Sequence, residues 1–236
     1  MTAYPFEQEA RHIASGVNNG GEVHGLFLSG RNVGITATDI RPGLLEALGE
    51  FAGPGMSLVF VDSGAFSEVK FGPAGPVVVA ELDAAAWDRI LAVYRSVACM
   101  FRTRARIVAP DRVGDQQVTL ARLARYAAEI QAIAIATRCG VIVPVQKGAL
   151  SVGEFWRQAT TILGLRGLIA GVPMKKDATS LEQLAELVAA LPDDARVHLL
   201  GIGPESKRYA AAIATIRALR PDAEITTDSV TVRRLV

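Results

Sequence analysis

The chain has 236 residues, of which 50% are hydrophobic, 21% charged and 6% aromatic, a composition that excludes intrinsic disorder. Its 25 basic residues nearly cancel its 24 acidic ones, and with a net charge of +1 any contact with nucleic acid has to come from a local patch. Cys99 and Cys139 form no CxxC pair, which argues against a multi-thiolate zinc site and a disulfide framework, and the lack of an apolar leader or long apolar run sets the expectation of a cytoplasmic protein, neither exported nor membrane-spanning.

In chain order, the apolar run HGLFLS at 24–29 reads as a first strand, followed by SLVFVD at 57–62. The segment around 68–80, EVKFGPAGPVVV, reads as a hairpin turning at Gly72-Pro73-Ala74-Gly75, inserted at the end of that strand. Helical spacing then fills 81–100, a strand follows at 105–109 (ARIVA), and helical spacing returns over 115–137. Further strands are expected at 141–146, 167–172, 197–202 and 224–228. Between them, Ser180 and Gln183 form a capping box for a helix over 180–191, and Tyr209, Ile213, Ile216 and Leu219 share a stripe over 206–219, which Pro221 ends.

Short Val/Ile/Leu strands alternating with helices are the pattern of a parallel sheet covered on both faces. With no linker dividing residues 1–236, the expectation is a single α/β domain, a (β/α)8 TIM-like barrel. Only one strand is legible in the first fifty or so residues, so the N-terminal unit reads as irregular or incomplete. An open doubly wound sheet is the competing architecture, although no G-x-G-x-x-G follows the first strand.

In a barrel, chemistry gathers at the C-terminal ends of the strands. The residues there are Asp62 in VDSGAF, Asp111 in APDRVGD, Gln146 in VPVQKG, Gly171 in IAGVP, Gly201 and Gly203 in LLGIG, and Asp228 in TTDS. Each has an ordinary alternative. Asp62 before Ser63 and Gly64 suits an Asx-turn, Asp115 suits a helix N-cap, Gln146 could be a loop amide, and Asp228 could cap a final helix. His12 and His24 are scattered, His198 lies within an apolar strand and reads as a satisfied core histidine, and the two cysteines read as small core residues.

Taken in order, VDSGAF, APDRVGD, VPVQKG, IAGVP, HLLGIG and the late TDS resemble the motifs of tRNA-guanine transglycosylases over about residues 57–229. The DSGAF and PDRVGD variants look closest to the DNA-directed branch, the DpdA proteins that insert 7-deazaguanine bases such as preQ0 into DNA. The resemblance implies that Asp228 is the nucleophile forming a covalent glycosyl-enzyme, and that Asp62 is the general acid/base. It implies that Asp111, Gln146 and the backbone around Gly171 read the base edge with Ser63 and Gly64, while Phe66 and Leu200 sandwich the base. It implies no cofactor. The tRNA enzymes also carry a cysteine-rich zinc subdomain, so a chain with two cysteines that ends at Val236 is expected to act on DNA without metal. A tRNA-acting enzyme of the same superfamily and a non-catalytic base-binding paralogue are the alternatives, and helper proteins or a homo-oligomer stay open.

Basic residues could supply the phosphate contacts. Lys147, Lys175, Lys176 and Arg112 follow strand ends and are expected on the rim, with Arg102, Arg104 and Arg106 clustered around the third strand. For Arg102 and Arg104 a solvated helix end is an equal reading, and Arg233 and Arg234 in the tail are further candidates.

Overall fold

The computed structural model describes residues 10–72, 75–175 and 178–230. From the N-terminus, β1 (Arg11–Ala14) leads through α1 (Gly20–Leu28) to β2 (Asn32–Thr36), and α2 (Pro42–Gly49) leads to β3 (Val59–Asp62). The hairpin β4 (Val69–Gly72) and β5 (Gly75–Val78) precedes α3 (Ala84–Phe101) and β6 (Ala105–Val108). Two helices, α4 (Gln116–Arg125) and α5 (Ala127–Thr137), lead to β7 (Val141–Pro144), and α6 (Val152–Leu163) to β8 (Ile169–Pro173). Finally α7 (Leu181–Ala190) precedes β9 (Arg196–Leu200), and α8 (Lys207–Leu219) precedes β10 (Glu224–Ser229).

Apart from the hairpin, the strands form a closed eight-stranded parallel barrel in chain order, with β10 returning to β1 so that Ile13 lies opposite Asp228. This is the expected (β/α)8 architecture, and it excludes the open sheet. Both strand faces are buried, which explains the nearly continuous apolar strands. Val59, Val61, Ile107, Val143, Val172 and Leu199 point outward against the helices, while Ile13, Phe60, Val108, Ile142 and Ile169 fill the barrel interior. Because side chains alternate along a strand, Phe60 inside places Asp62 inside, and the same parity carries His198 to Leu200 and Thr226 to Asp228.

The N-terminal unit departs from the sequence reading. Residues 24–28 of the run read as a strand belong to α1, where Val23 and Leu26 are buried three residues apart and Asn19 caps the helix by accepting from Glu22 N. The first two strands lie on either side of it, so the barrel is complete. Their seam is thin, with two register pairs. The Asn32 amide reinforces it by donating to His12 O at 2.7 Å, and its oxygen ties β2 to the chain entering β3 by accepting from Leu58 N at 2.7 Å. Gly34 is required there, since a Cβ would come within 2.9 Å of Ser15 Cα.

Other expectations are also adjusted. The helix expected over 115–137 breaks at Tyr126, and α6 is an element the sequence reading did not name. Cys99 is exposed on α3, and Cys139 is half-buried with its thiol donating to Arg166 O at 2.7 Å, so neither is a core residue. The hairpin occupies its expected place, with Pro73 and Ala74 of its turn outside the described residues. Among the described residues no helix is long and apolar enough to cross a membrane.

Candidate active site

Asp62, Asp111, Gln146, Leu200 and Asp228 all stand at or just beyond the C-terminal ends of β3, β6, β7, β9 and β10, and therefore share one mouth of the barrel. Ser63 ties two of the carboxyls together. Its hydroxyl lies 3.0 Å from Asp111 Oδ1 and 3.4 Å from Asp62 Oδ1, and accepts from Ala65 N at 3.1 Å. Asp62 Oδ1 also accepts from Gly64 N at 3.2 Å, so the Asx-turn expected of an isolated DSG is present alongside the shared site. Gly64 has φ 82°, and a Cβ there would meet the Thr38 hydroxyl oxygen at 2.3 Å, so conformation and space both demand glycine.

Gln146 is oriented from both ends. Its amide nitrogen donates to Asp111 Oδ2 at 2.9 Å while its oxygen accepts from Gly114 N at 2.8 Å. One amide hydrogen is thus used on Asp111, leaving the second for a ligand oxygen. Gly171 faces the interior, where a Cβ would stand 2.7 Å from Ile142 Cγ2 and 3.3 Å from Leu200 Cδ1. Its carbonyl is taken by Val145 N at 2.8 Å.

The three carboxyls ionise differently. Burial raises Asp62 above the ordinary carboxyl range, and the nearby charge of Asp228 adds to this against the Gly64 N–H, Ser63 and Lys175. Burial, then the charge of Asp62, pushes Asp111 up to about 7. Burial also acts on Asp228, but a hydrogen bond and charge from His198, the Gly201 N–H and the Ser15 hydroxyl together hold it below the ordinary range. Gly201 N donates to Asp228 Oδ1 at 2.8 Å, and His198 Nε2 lies 3.3 Å from the same oxygen. His198 is a satisfied core histidine as expected, yet the ordinary reading missed that its second nitrogen reaches the candidate nucleophile. The signal was its spacing, two residues before the interior-facing Leu200.

Phe66 is 41% exposed in the turn after Asp62, and Leu200 is half-buried at the end of β9. Lys175 spans the two walls that these residues belong to: its Cε lies 3.2 Å from the Cβ position of Gly201, next to Leu200, and its ammonium 3.9 Å from the Phe66 ring centroid. Lys147 is exposed in the loop after Gln146, and Lys176, Arg233 and Arg234 lie outside the described residues.

The remaining arginines serve other ends. Arg112 is buried and turns away from the rim to pair with Glu81 at 2.9 Å and Glu68 at 3.3 Å, so it is not available as a phosphate contact. Arg102, Arg104 and Arg106 precede or open β6 and therefore lie at the opposite mouth. There Arg104 donates to the carbonyls of Phe51, Gly53 and Ser57, and Arg106 pairs with Glu224 at 2.9 Å. Sequence proximity to the PDR motif could not reveal either direction.

Supporting residues also escaped the sequence reading. Wholly buried Glu68 receives Arg122 at 2.6 and 2.7 Å, and Arg122 donates as well to the backbone carbonyl of Asp111. The Tyr94 hydroxyl donates to Val108 O at 2.6 Å, holding the end of β6 beneath the same loop. Asp115 caps α4 by accepting from Val118 N at 2.9 Å, as its ordinary reading expected. Among the described residues no group of three or more His, Cys, Asp or Glu side chains is arranged to hold a metal ion.

No protein-family model and no curated protein matches the chain. Among solved structures it is similar to a GH5-4 broad specificity endoglucanase from an uncultured bacterium, with 8% identity, a TM-score of 0.46, and coverage of 94% of this chain and 81% of that one. At that distance the likeness says nothing about the chemistry.

Proposed function

We propose that the protein is a transglycosylase that exchanges guanine in DNA for a 7-deazaguanine base through a covalent intermediate on Asp228. The observation that carries this reading is the convergence of Asp62, Asp111, Gln146 and Asp228 on one barrel mouth, where His198 Nε2 and Gly201 N–H lie on Asp228 Oδ1 and Ser63 and Gln146 hold Asp111, an arrangement that favours the anion at Asp228 while burial raises Asp62 and Asp111. The ordered motifs from VDSGAF to TDS supply the substrate class.

In the first half-reaction an Asp228 oxygen bonds to C1′ of the nucleotide as the C1′–N9 bond breaks. The bonding pair leaves with guanine, which takes a proton from Asp62. In the second, Asp62 removes the N9 proton of the incoming base, N9 bonds to C1′, and the C1′–O pair returns to Asp228. Protons balance over the cycle, and no cofactor is required. A raised Asp62 suits a group that must be an acid first and a base second. Asp111, with Ser63 and Gln146 on its two oxygens, presents a carboxyl to the N1–H and amino donors of a guanine edge. Phe66 and Leu200 supply apolar walls for a base turned out of its stack.

The experiment is a base-exchange assay on duplex DNA and on tRNA with preQ0, read by nucleoside mass spectrometry. Incorporation into DNA with release of guanine is expected. Incorporation into tRNA alone would transfer the reading to the tRNA-acting enzymes, and binding of base without exchange on either polymer would favour the non-catalytic paralogue.

A further inference from the structure

The exchange reaction described above gives no role to the imidazole beneath its nucleophile. His198 is wholly buried and stacks on Phe60, with 4.8 Å between ring centroids and 13° between planes. Its Nδ1 lies 2.7 Å from the Thr226 hydroxyl and its Nε2 3.3 Å from Asp228 Oδ1. All three side chains face the barrel interior, on neighbouring strands whose register sets His198 opposite Thr226. Gly201 N, at 2.8 Å, donates to the same Oδ1.

We infer that His198 is a positioning residue that, bearing a proton on Nε2, saturates Asp228 Oδ1 together with Gly201 N–H and so assigns Oδ2 as the atom that bonds to C1′. This rests on the transglycosylase reading of Asp228. A carboxylate only accepts hydrogen bonds, so the facing Nε2 must carry the hydrogen, while the Thr226 hydroxyl, able to donate or accept, satisfies Nδ1. Stacking on Phe60 sets the ring plane, and complete burial removes water as an alternative partner. Arg106, Arg196 and Glu224 belong to the opposite end of the interior, where Glu224 pairs with both arginines, so Asp228 is the charged group this imidazole touches.

The arrangement has a consequence for the second half-reaction. There N9 of the incoming base bonds to C1′, its proton passing to Asp62, while the C1′–Oδ2 bond breaks and its pair returns to Asp228. Charge returns to the carboxylate as it leaves, and donors on Oδ1 are worth more to the anion than to the glycosyl ester. Loss of the imidazole donor therefore slows breakdown of the covalent intermediate, and the intermediate accumulates.

The test compares wild type with His198→Phe, which keeps the stacking and removes the donor, and with His198→Gln, whose amide nitrogen reaches the Nε2 position. With DNA and preQ0, His198→Phe is expected to turn over on the order of 10- to 100-fold more slowly, with KM for the DNA falling alongside kcat and the protein–DNA adduct building up; His198→Gln should stay within about threefold of wild type. Unchanged turnover in a folded His198→Phe, or equal losses in two folded variants, would overturn the inference. A wild type that exchanges no base would instead count against the reading of Asp228. The tautomer is tested separately by ¹⁵N NMR of the His198 ring in the unliganded protein: an Nε2–H signal coupled to Asp228, altered in Asp228→Asn, is expected, and an Nδ1–H tautomer would refute the assignment whatever the activity.

Discussion

The ammonium of Lys175 rests 3.9 Å from the centroid of the Phe66 ring, bridging the mouth from the Leu200–Gly201 side to the aromatic side. A cation held over an aromatic face is stabilised by the ring quadrupole, yet remains free to move to a stronger anionic partner such as a phosphate. Its charge also restrains the rise of Asp62. Lys175→Met should weaken DNA binding about equally across sequences and lower the slope of log K against log salt by roughly one. With the cation gone Asp62 ionises less readily, so the alkaline limb of the pH–rate profile should move upward. An unchanged salt slope would remove Lys175 from the DNA contact.

Asp111 gives a prediction about stability. Its folded value of about 7 lies above the ordinary 3.8, so the folded state binds the proton more tightly than the unfolded chain. The stabilisation is complete below the unfolded value and is lost as pH rises through about 7. Urea midpoints of the wild type should therefore fall from pH 4 to pH 7 by more than those of Asp111→Asn. Binding of a guanine edge, which favours the carboxylate, should strengthen over the same rise in pH and lose that dependence in the variant. A wild-type midpoint that follows the variant across this range would contradict the account.

Glu68 and Arg122 form the support under Asp111. Removing one partner of a buried ion pair leaves the other charge unpaired, so Glu68→Ala, which strands Arg122 and leaves Arg112 with Glu81 alone, should cost about 3–5 kcal/mol in urea unfolding. Because Arg122 also holds the Asp111 carbonyl, the variant should lose base affinity beyond what its stability explains. A cost near zero would show that the pair is not what keeps the loop in place.

From β3 to β9 the barrel strands were legible because they are buried on both faces and read as short branched apolar runs. The first two strands were not. β1 offers only Ile13 and Ala14 as apolar residues, and β2 is interrupted by Gly34, whose reason is the close approach of Ser15, a contact that no local pattern announces. HGLFLS misled because a short apolar run suits a strand or a buried helix, and the deciding signal was Asn19 as N-cap. The capping box at Ser151 and Glu154 marked α6 in the same way. At the site, strand-end position identified Asp62, Asp111, Gln146 and Asp228, since all barrel strands end at one mouth. It could not show that Arg112 turns inward to Glu68 or that His198 reaches Asp228, because both depend on residues distant in the chain.

The central claim is that Asp228 bonds covalently to C1′. The most direct measurement is intact mass spectrometry of the denatured protein after incubation with guanine-containing DNA and no incoming base. Wild type should carry a DNA adduct mapping to the peptide containing Asp228, discharged on adding preQ0, and Asp228→Ala should carry none. An Asp228→Ala protein that still exchanged guanine at the wild-type rate would contradict the account.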